Sequence, residues 1–428
     1  MELVILIVAF LLLLAAGMSV SFSMGLLGVT GLFLIGGFSG LDPVGIVAWS
    51  SMNSFLLTAI PLFILMGEII LRAGFGKELF DAASAFFGRM RGGLGMATIV
   101  AAGIFSAVSG SSAAACATIG LVAIPEMERY QYDRRLIYGT MTSGGSLDIL
   151  IPPSVIMIVY GAFTEQSIGK LYLAGFIPGF LLSLFFIVVI WAWSRLNPKV
   201  APLQPWVLGW KERVRRLLKV WTFVLLMGLC LGTIFAGIAT PTEAAALGVV
   251  GSLVMALIRK KLTWKDFKQS LLGTAEVTCM VMFLILGGLI LSNLLLQQNI
   301  PARVMNYTFS LGLPNWAVLA LIYFVYFIMG CLIDGLTMMI ITLPIVTPII
   351  KAMGMDLIWF GVIMVVLVEL SQLTPPVGMN LYIIRNVSGG KIEDVIMGSM
   401  PFTIAIVAAL ILFTIFPSLS LWLPSWAM

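Results

Sequence analysis

"GGSLDILIPPS", residues 144–154, lies in strongly apolar sequence, yet it carries two glycines, an aspartate and two consecutive prolines. "ELSQLTPPVGMN", residues 369–380, repeats the pattern. Proline removes a backbone donor and clashes with the preceding turn, so each stretch must interrupt a helix and free some of its carbonyls. In hydrocarbon such carbonyls persist only where something else satisfies them. Two similar breaks inside apolar sequence therefore decide how the fold is read.

Their surroundings are those of a membrane protein. Of 428 residues, 61% are hydrophobic and 10% are charged, and the mean hydropathy is +1.11. That charge is too sparse to cover a water-soluble surface of this size, so the expected fold is an all-α polytopic membrane protein in a lipid bilayer. The apolar start "LVILIVAFLLLLAAG" (3–17) lacks a basic leader and reads as a first span rather than a signal peptide. There is no histidine, which removes the commonest general base and metal ligand. Cys116, Cys230, Cys279 and Cys331 lie far apart in apolar segments without a CxxC, as packing residues do. The net charge of +5 follows basic loops, and no nucleic-acid partner is expected.

A span needs roughly 20 apolar residues. Spans are expected near 2–21, 25–38, 51–72, 137–162, 170–194, 220–238, 242–258, 272–296, 357–384 and 398–416. Regions 94–125 and 315–352 differ. "SAVSGSSAAA" (106–115) and "GCLIDGLTM" (330–338) interrupt them midway, and each half is short for a crossing. Both are read as re-entrant helical hairpins. Segments 74–92 and 299–311 are amphipathic and too polar to span, so they are placed in the interface. Basic residues concentrate in 195–219 and 259–268, which puts both on the cytoplasmic side and both termini outside.

Pro152–Pro153 and Pro375–Pro376 lie 223 residues apart. "FILMGEIILRAGFGKELF" (63–80) likewise echoes "FLILGGLILSNLLLQQNIPARVM" (283–305). The order span, interfacial helix, hairpin, broken span, span occurs twice, and an odd number of crossings between the two units inverts the second. The division is 1–50 as N-terminal scaffold spans, 51–194 as first repeat, 195–271 as basic loops and scaffold spans, 272–416 as second repeat and 417–428 as tail. Inverted repeats with broken helices at matching places point to a secondary transporter.

The breaks then acquire a purpose. Half-helix C-termini and unwound carbonyls suit Na⁺, whereas half-helix N-termini suit an anion. Ser106, Ser109, Ser111 and Ser112 bring hydroxyls at the first tip. Gly330, Asp334 and Thr337 form the second, opposite Ser371 and Thr374. Ser111, Ser112, Ser154, Thr337 and Asn380 are placed to line a carboxylate seat near the midplane. A lone Pro-Pro would read as a kink and a lone run of small residues as helix packing. Their paired recurrence favours a site. A mid-membrane aspartate costs ~2.5–3.5 kcal/mol on the insertion scale, so Asp148 and Asp334 are functional candidates. Glu68, Glu243 and Glu369 are read as interfacial or helix-pairing residues.

"SFLLTAIPLFILMGEI" (54–69), "SAVSGSSAAACATIG" (106–120), "LIPPSVIMIVYG" (150–161), "GCLIDGLTMMIITLPI" (330–345) and "LTPPVGMNLY" (373–382) together resemble the large membrane subunit of TRAP (tripartite ATP-independent periplasmic) transporters. The resemblance covers nearly the whole chain. It implies an elevator-type fold like that of the ion transporter superfamily and sodium-driven uptake of organic acids, often carboxylates or sialic acid. A small membrane subunit and a periplasmic substrate-binding protein are the implied partners, the bacterial inner membrane the implied location, with periplasmic termini. Carried over by position, one sodium site uses Ser106, Ser109 and the carbonyls of Asp148, Ile151 and Pro153. A second uses Gly330, Ser371, Thr374 and Val377, and Asp334 joins the substrate-binding group. Asp148 and Ser371 stand where the family usually has glycine. Backbone carbonyls survive both changes, but the added carboxylate bears on ion or substrate preference.

No enzymatic activity is expected, and no cofactor beyond Na⁺ as coupling ion. A stand-alone sodium or proton carboxylate symporter shares these features and differs in not needing a binding protein. An intramembrane serine hydrolase built on Ser109 or Ser111 lacks a histidine or a neighbouring lysine. An ATP-driven pump lacks the GxxxxGK[ST] loop.

Overall fold

The computed structural model describes residues 2–203 and 209–427. Residues 204–208 of the basic segment, together with the first and last residues of the chain, lie outside the described residues. Among the described residues the regular structure is helical throughout. Five helices are long and apolar enough to cross a membrane, or up to seven if two bent pairs each count as one span.

The chain begins with α1 (Glu2–Ala15) and α2 (Val20–Gly36), separated where Gly17 adopts a left-handed φ of 82°. The first span thus ends earlier than the 2–21 reading, because that backbone conformation stops a helix. A helix that hydropathy alone does not delimit, α3 (Asp42–Met52), starts at an Asp-Pro pair. The expected span 51–72 holds the last two residues of α3 and, after a break, α4 (Ala59–Arg72). A bend of 73° leads from it into amphipathic α5 (Gly76–Phe87).

Next come α6 (Gly93–Ser109) and α7 (Ser112–Arg129), which pack on each other and are joined by Gly110 and Ser111. Gly110 has a φ of 59° and closes α6, while Ser111 caps α7 by accepting from the Ala114 amide at 3.3 Å. After α8 (Arg134–Ser146) the helix is interrupted over 147–154 and resumes as α9 (Val155–Thr164). The long α10 (Ile168–Leu196) follows, and the basic segment contributes amphipathic α11 (Trp210–Lys219).

Helices α12 (Trp221–Phe235) and α13 (Pro241–Ile258) pack on each other and on α6 and α4, respectively. The 34-residue α14 (Trp264–Gln297) begins well before the expected 272, because Thr263 and Asp266 form a capping box. The second half then repeats the first with α15 (Ile300–Ser310), α16 (Asn315–Gly330), α17 (Gly335–Ala352), α18 (Leu357–Gln372), α19 (Met379–Ser388) and α20 (Ile392–Ile415). The C-terminal stretch 417–428 contains a further helix, α21 (Ser418–Ala427), which packs on α10 and α18.

The two halves are interleaved. Helix α7 packs on α19 of the other half, and α17 packs on α9. Glycines set the closest crossings. A Cβ on Gly139 of α8 would stand 2.0 Å from the Gly398 carbonyl of α20, so backbone lies on backbone there. Such small-residue contacts replace the hydrophobic drive that lipid does not supply.

Candidate functional site

The first break, 147–154, sits under the α6–α7 tip. A Cβ on Gly110 would lie 3.9 Å from the Pro153 carbonyl, so the tip rests on the break. On the other side, α10 is smooth enough to touch it. A Cβ on Gly175 would stand 2.7 Å from the Leu150 carbonyl, and one on Gly179 would stand 2.8 Å from the Ile151 side chain. Pro152, Pro153 and Ser154 are consequently buried.

Ser106 and Ser109 are both buried, and neither hydroxyl oxygen has a hydrogen-bond partner among the described residues. A buried polar atom left so costs free energy unless a ligand meets it. Hard oxygens beside the backbone of an interrupted helix suit a small monovalent cation. Of the residues expected for a first sodium site, the two hydroxyls thus lie beside the tip and Pro153 under it, with Asp148 and Ile151 in the same break.

The second tip meets its break differently. A Cβ on Gly330 would stand 2.5 Å from Cβ of Ser371, so these two members are in contact. The Ser371 hydroxyl donates to the Val368 carbonyl at 2.6 Å, and that of Thr374 to the Leu370 carbonyl at 2.6 Å. Both turn back on their own helix. Val377 is 40% exposed, and Pro375 and Pro376 are exposed beside it.

The substrate candidates divide by partner. Ser111 caps α7, and Ser154 caps α9 by accepting from the Met157 amide at 3.5 Å. Asp334 caps α17, accepting from the Thr337 amide at 3.1 Å and the Thr337 hydroxyl at 2.5 Å. Asn380 is fully buried, and its Nδ2 donates to the Thr142 carbonyl at 3.3 Å. The Asn380 Oδ1 has no partner among the described residues. Ser112 stands apart from this group, within reach of Asp148 Oδ1 at 2.5 Å, Gln372 Oε1 at 2.8 Å and the Gly145 carbonyl at 2.9 Å.

Glu369 was assigned by sequence to the interface or to helix pairing. The structure buries it completely in α18, where its Oε1 accepts from the Ser146 hydroxyl at 2.9 Å. Its Oε2 has no partner among the described residues. The available signal was a carboxylate in the last turn before a break, within an otherwise uncharged apolar helix. Glu68 does pair helices, bonding Arg72 at 3.1 Å and lying against Gly273 of α14. Glu243 closes the capping box of α13 with Thr240.

Two interrupted helices, each met by the tip of a helix pair and flanked by long apolar helices, define a multi-pass membrane transporter. The profile described as "Tripartite ATP-independent periplasmic transporter, DctM component" matches residues 7–419. The chain belongs to that family and is a multi-pass protein of the bacterial inner membrane. It is 36% identical to the C4-dicarboxylate TRAP transporter large permease protein DctM of Pseudomonas aeruginosa, over 94% of this chain and 94% of that protein. It is 31% identical to the isethionate TRAP transporter permease protein DctMQ of Oleidesulfovibrio alaskensis, covering 96% of this chain and 64% of that one. Among solved structures, the YdaH transporter of Alcanivorax borkumensis superposes with a TM-score of 0.62 at 12% identity, covering 91% of this chain and 89% of that chain. That likeness concerns the fold alone.

Proposed function

We propose that the protein is the large subunit of a tripartite carrier that uses a sodium gradient to take up an organic acid. The observation that carries the ion reading is the pair of unpartnered buried hydroxyls, Ser106 and Ser109, beside the first break. The contact of Gly330 with Ser371 at the second break supports a second sodium seat, completed by Thr374 and Val377. An anionic cargo is supported by the N-termini of α7, α9, α17 and α19, which the two breaks and the two tips supply. Ser111, Ser112, Ser154, Asp334, Thr337 and Asn380 form the polar group for it.

The partners are a small membrane subunit and a periplasmic binding protein. The DctMQ relative supports the first, since this chain spans 64% of its length. The mechanism is an elevator. The two helix pairs, α6–α7 and α16–α17, move with α8–α9 and α18–α19 against a frame containing α12 and α13. The 73° bend between α4 and α5 and the length of α14 supply arms for such a movement. Both termini are assigned to the periplasm.

Reconstitution tests the whole reading. With cognate binding protein and small subunit present, uptake into proteoliposomes follows an inward sodium gradient and stops when choline replaces Na⁺. Uptake that persists in choline, or without the binding protein, would contradict it.

A further inference from the structure

Equivalent residues of two repeats touch only beside the axis that relates them. The N-caps Ser111 and Asp334 of α7 and α17 are separated by the same 223 residues as Ser146 and Glu369, and so are the two proline pairs. The 2.9 Å hydrogen bond between Ser146 and Glu369 therefore marks the internal twofold axis. There the C-terminal ends of α8 and α18 meet, each presenting its negative dipole end.

The chemistry at this point is rich in oxygen, with the Cys116 thiol packed against Gly145 beside it. Ser112 has one proton, yet three acceptors surround it, namely Asp148 Oδ1, Gln372 Oε1 and the Gly145 carbonyl. Gln372 lies one turn beyond Glu369 on the same face of α18. Turning the Gln372 amide relieves only one of the surplus acceptors. Among the described residues Glu369 Oε2 remains unpartnered in a side chain with no exposure, and so does Oδ1 of Asn380, whose Nδ2 bonds Thr142 one turn before Ser146. Neither Asp148 nor Glu369 has an ion pair among the described residues. Two buried carboxyl groups with an excess of acceptors call for a proton or a cation.

We propose that the Glu369 and Asp148 side chains, with Ser146 and Gln372, form a third seat for a monovalent hard cation, Na⁺, on the axis between the repeats. It uses different atoms from the first sodium set, in which Asp148 contributes its carbonyl. A site on the axis belongs to both halves at once, so filling it holds α8 and α18 together and links the two outer seats. This inference rests on the sodium-coupled reading above and adds an ion to it.

The test is equilibrium binding of radioactive sodium to the purified full-length chain with its small subunit. Wild type is expected to bind one more ion than Glu369→Gln, and Asp148→Asn should lose the same ion. Ser109→Ala should lose a different one, so that the Ser109→Ala, Glu369→Gln double variant binds two fewer than wild type. Glu369→Asp, which keeps the charge at shorter reach, should retain the ion with an affinity at least about tenfold weaker. Unchanged stoichiometry and affinity in Glu369→Gln would overturn the axial seat. If Glu369→Gln does not elute as a monodisperse complex, Asp148→Asn decides by the same criterion. Wild type that binds no sodium at all would instead refute the coupled reading as a whole, which keeps the two failures distinct.

Discussion

The two breaks are built from the same motif and are held in opposite conditions. At the first, Pro152 and Pro153 are buried between the α6–α7 tip and α10, and the hydroxyls of Ser106 and Ser109 have no partner among the described residues. At the second, Pro375, Pro376 and Val377 are exposed, and the hydroxyls of Ser371 and Thr374 are spent on their own helix. A repeat therefore does not make two equal sites. The closed one offers unsatisfied oxygen, which is where a cation gains most, and the open one offers access.

The largest expected effect comes from the packing that closes the first break. A Cβ on Gly67 of α4 would stand 2.3 Å from the Ser109 carbonyl and 2.8 Å from its Cα, so backbone must move. In the second half, a Cβ on Gly288 of α14 would meet the Cγ2 methyl of buried Ile340 in α17 at 2.0 Å, a clash between α14 and α17 that a β-branched side chain relieves only with difficulty. Gly67→Ala should cost about 1–3 kcal/mol of overpacking at the tip. Apparent sodium affinity should fall by roughly 5- to 150-fold, and by less in Gly288→Ala, whose clash is with Ile340 and not with the backbone of a tip residue. Sodium titration of uptake for the two variants reads the difference, and equal effects would remove the distinction between the tips.

Accessibility gives the next contrast. In a background with the four cysteines replaced, Val377→Cys should react with a membrane-impermeant thiol reagent at least about tenfold faster than Ser154→Cys, as their exposures of 40% and 1% require. Equal rates would show that the first break opens as often as the second.

Much of this was legible in the chain itself. The breaks, the interrupted helix pairs and the spacing of 223 residues follow from proline, glycine and serine at positions where apolar sequence gives them no packing role. Sequence read Glu369 as interfacial or helix-pairing, and it does join α18 to α8; its partner Ser146 was not legible, because it lies in the other half and hydropathy carries no information about an axis. The direction of a hydroxyl was likewise illegible. Ser109 and Thr374 look alike as letters, yet one is unpartnered and the other bonds the preceding turn. Helix α3 and the C-terminal α21 escaped because they are short, at 11 and 10 residues.

That difference in direction sets the third expectation. Ser109→Ala removes an oxygen free to meet an ion, whereas Thr374→Ala removes one already committed to Leu370. A hydrogen bond or ligand contact of this class is worth about 1.5–3 kcal/mol when one member is charged and about 0.5–1.5 kcal/mol when neither is. Ser109→Ala should therefore raise the half-saturating sodium concentration roughly tenfold or more, and Thr374→Ala by less. A larger effect from Thr374→Ala would invert the comparison and place the stronger seat at the open break.

The smallest expected effect separates substrate from ion at the closed break itself. Ser111 and Ser109 flank the same tip glycine, but Ser111 faces the start of α7, where its oxygen accepts from the Ala114 amide at 3.3 Å. Losing such a cap costs about 0.5–2 kcal/mol of local helix stability. It also loosens the run of amides that an anion would meet at the α7 N-terminus. Ser111→Ala should raise the KM for the organic acid by about two- to tenfold, since a neutral bond is involved, and leave the sodium dependence of uptake unchanged. Ser111→Thr keeps the capping oxygen and should restore most of the loss. If Ser111→Ala shifts the sodium requirement as much as Ser109→Ala does, the two serines serve one seat, and the division between an ion held by the break and an acid held by the helix ends is wrong.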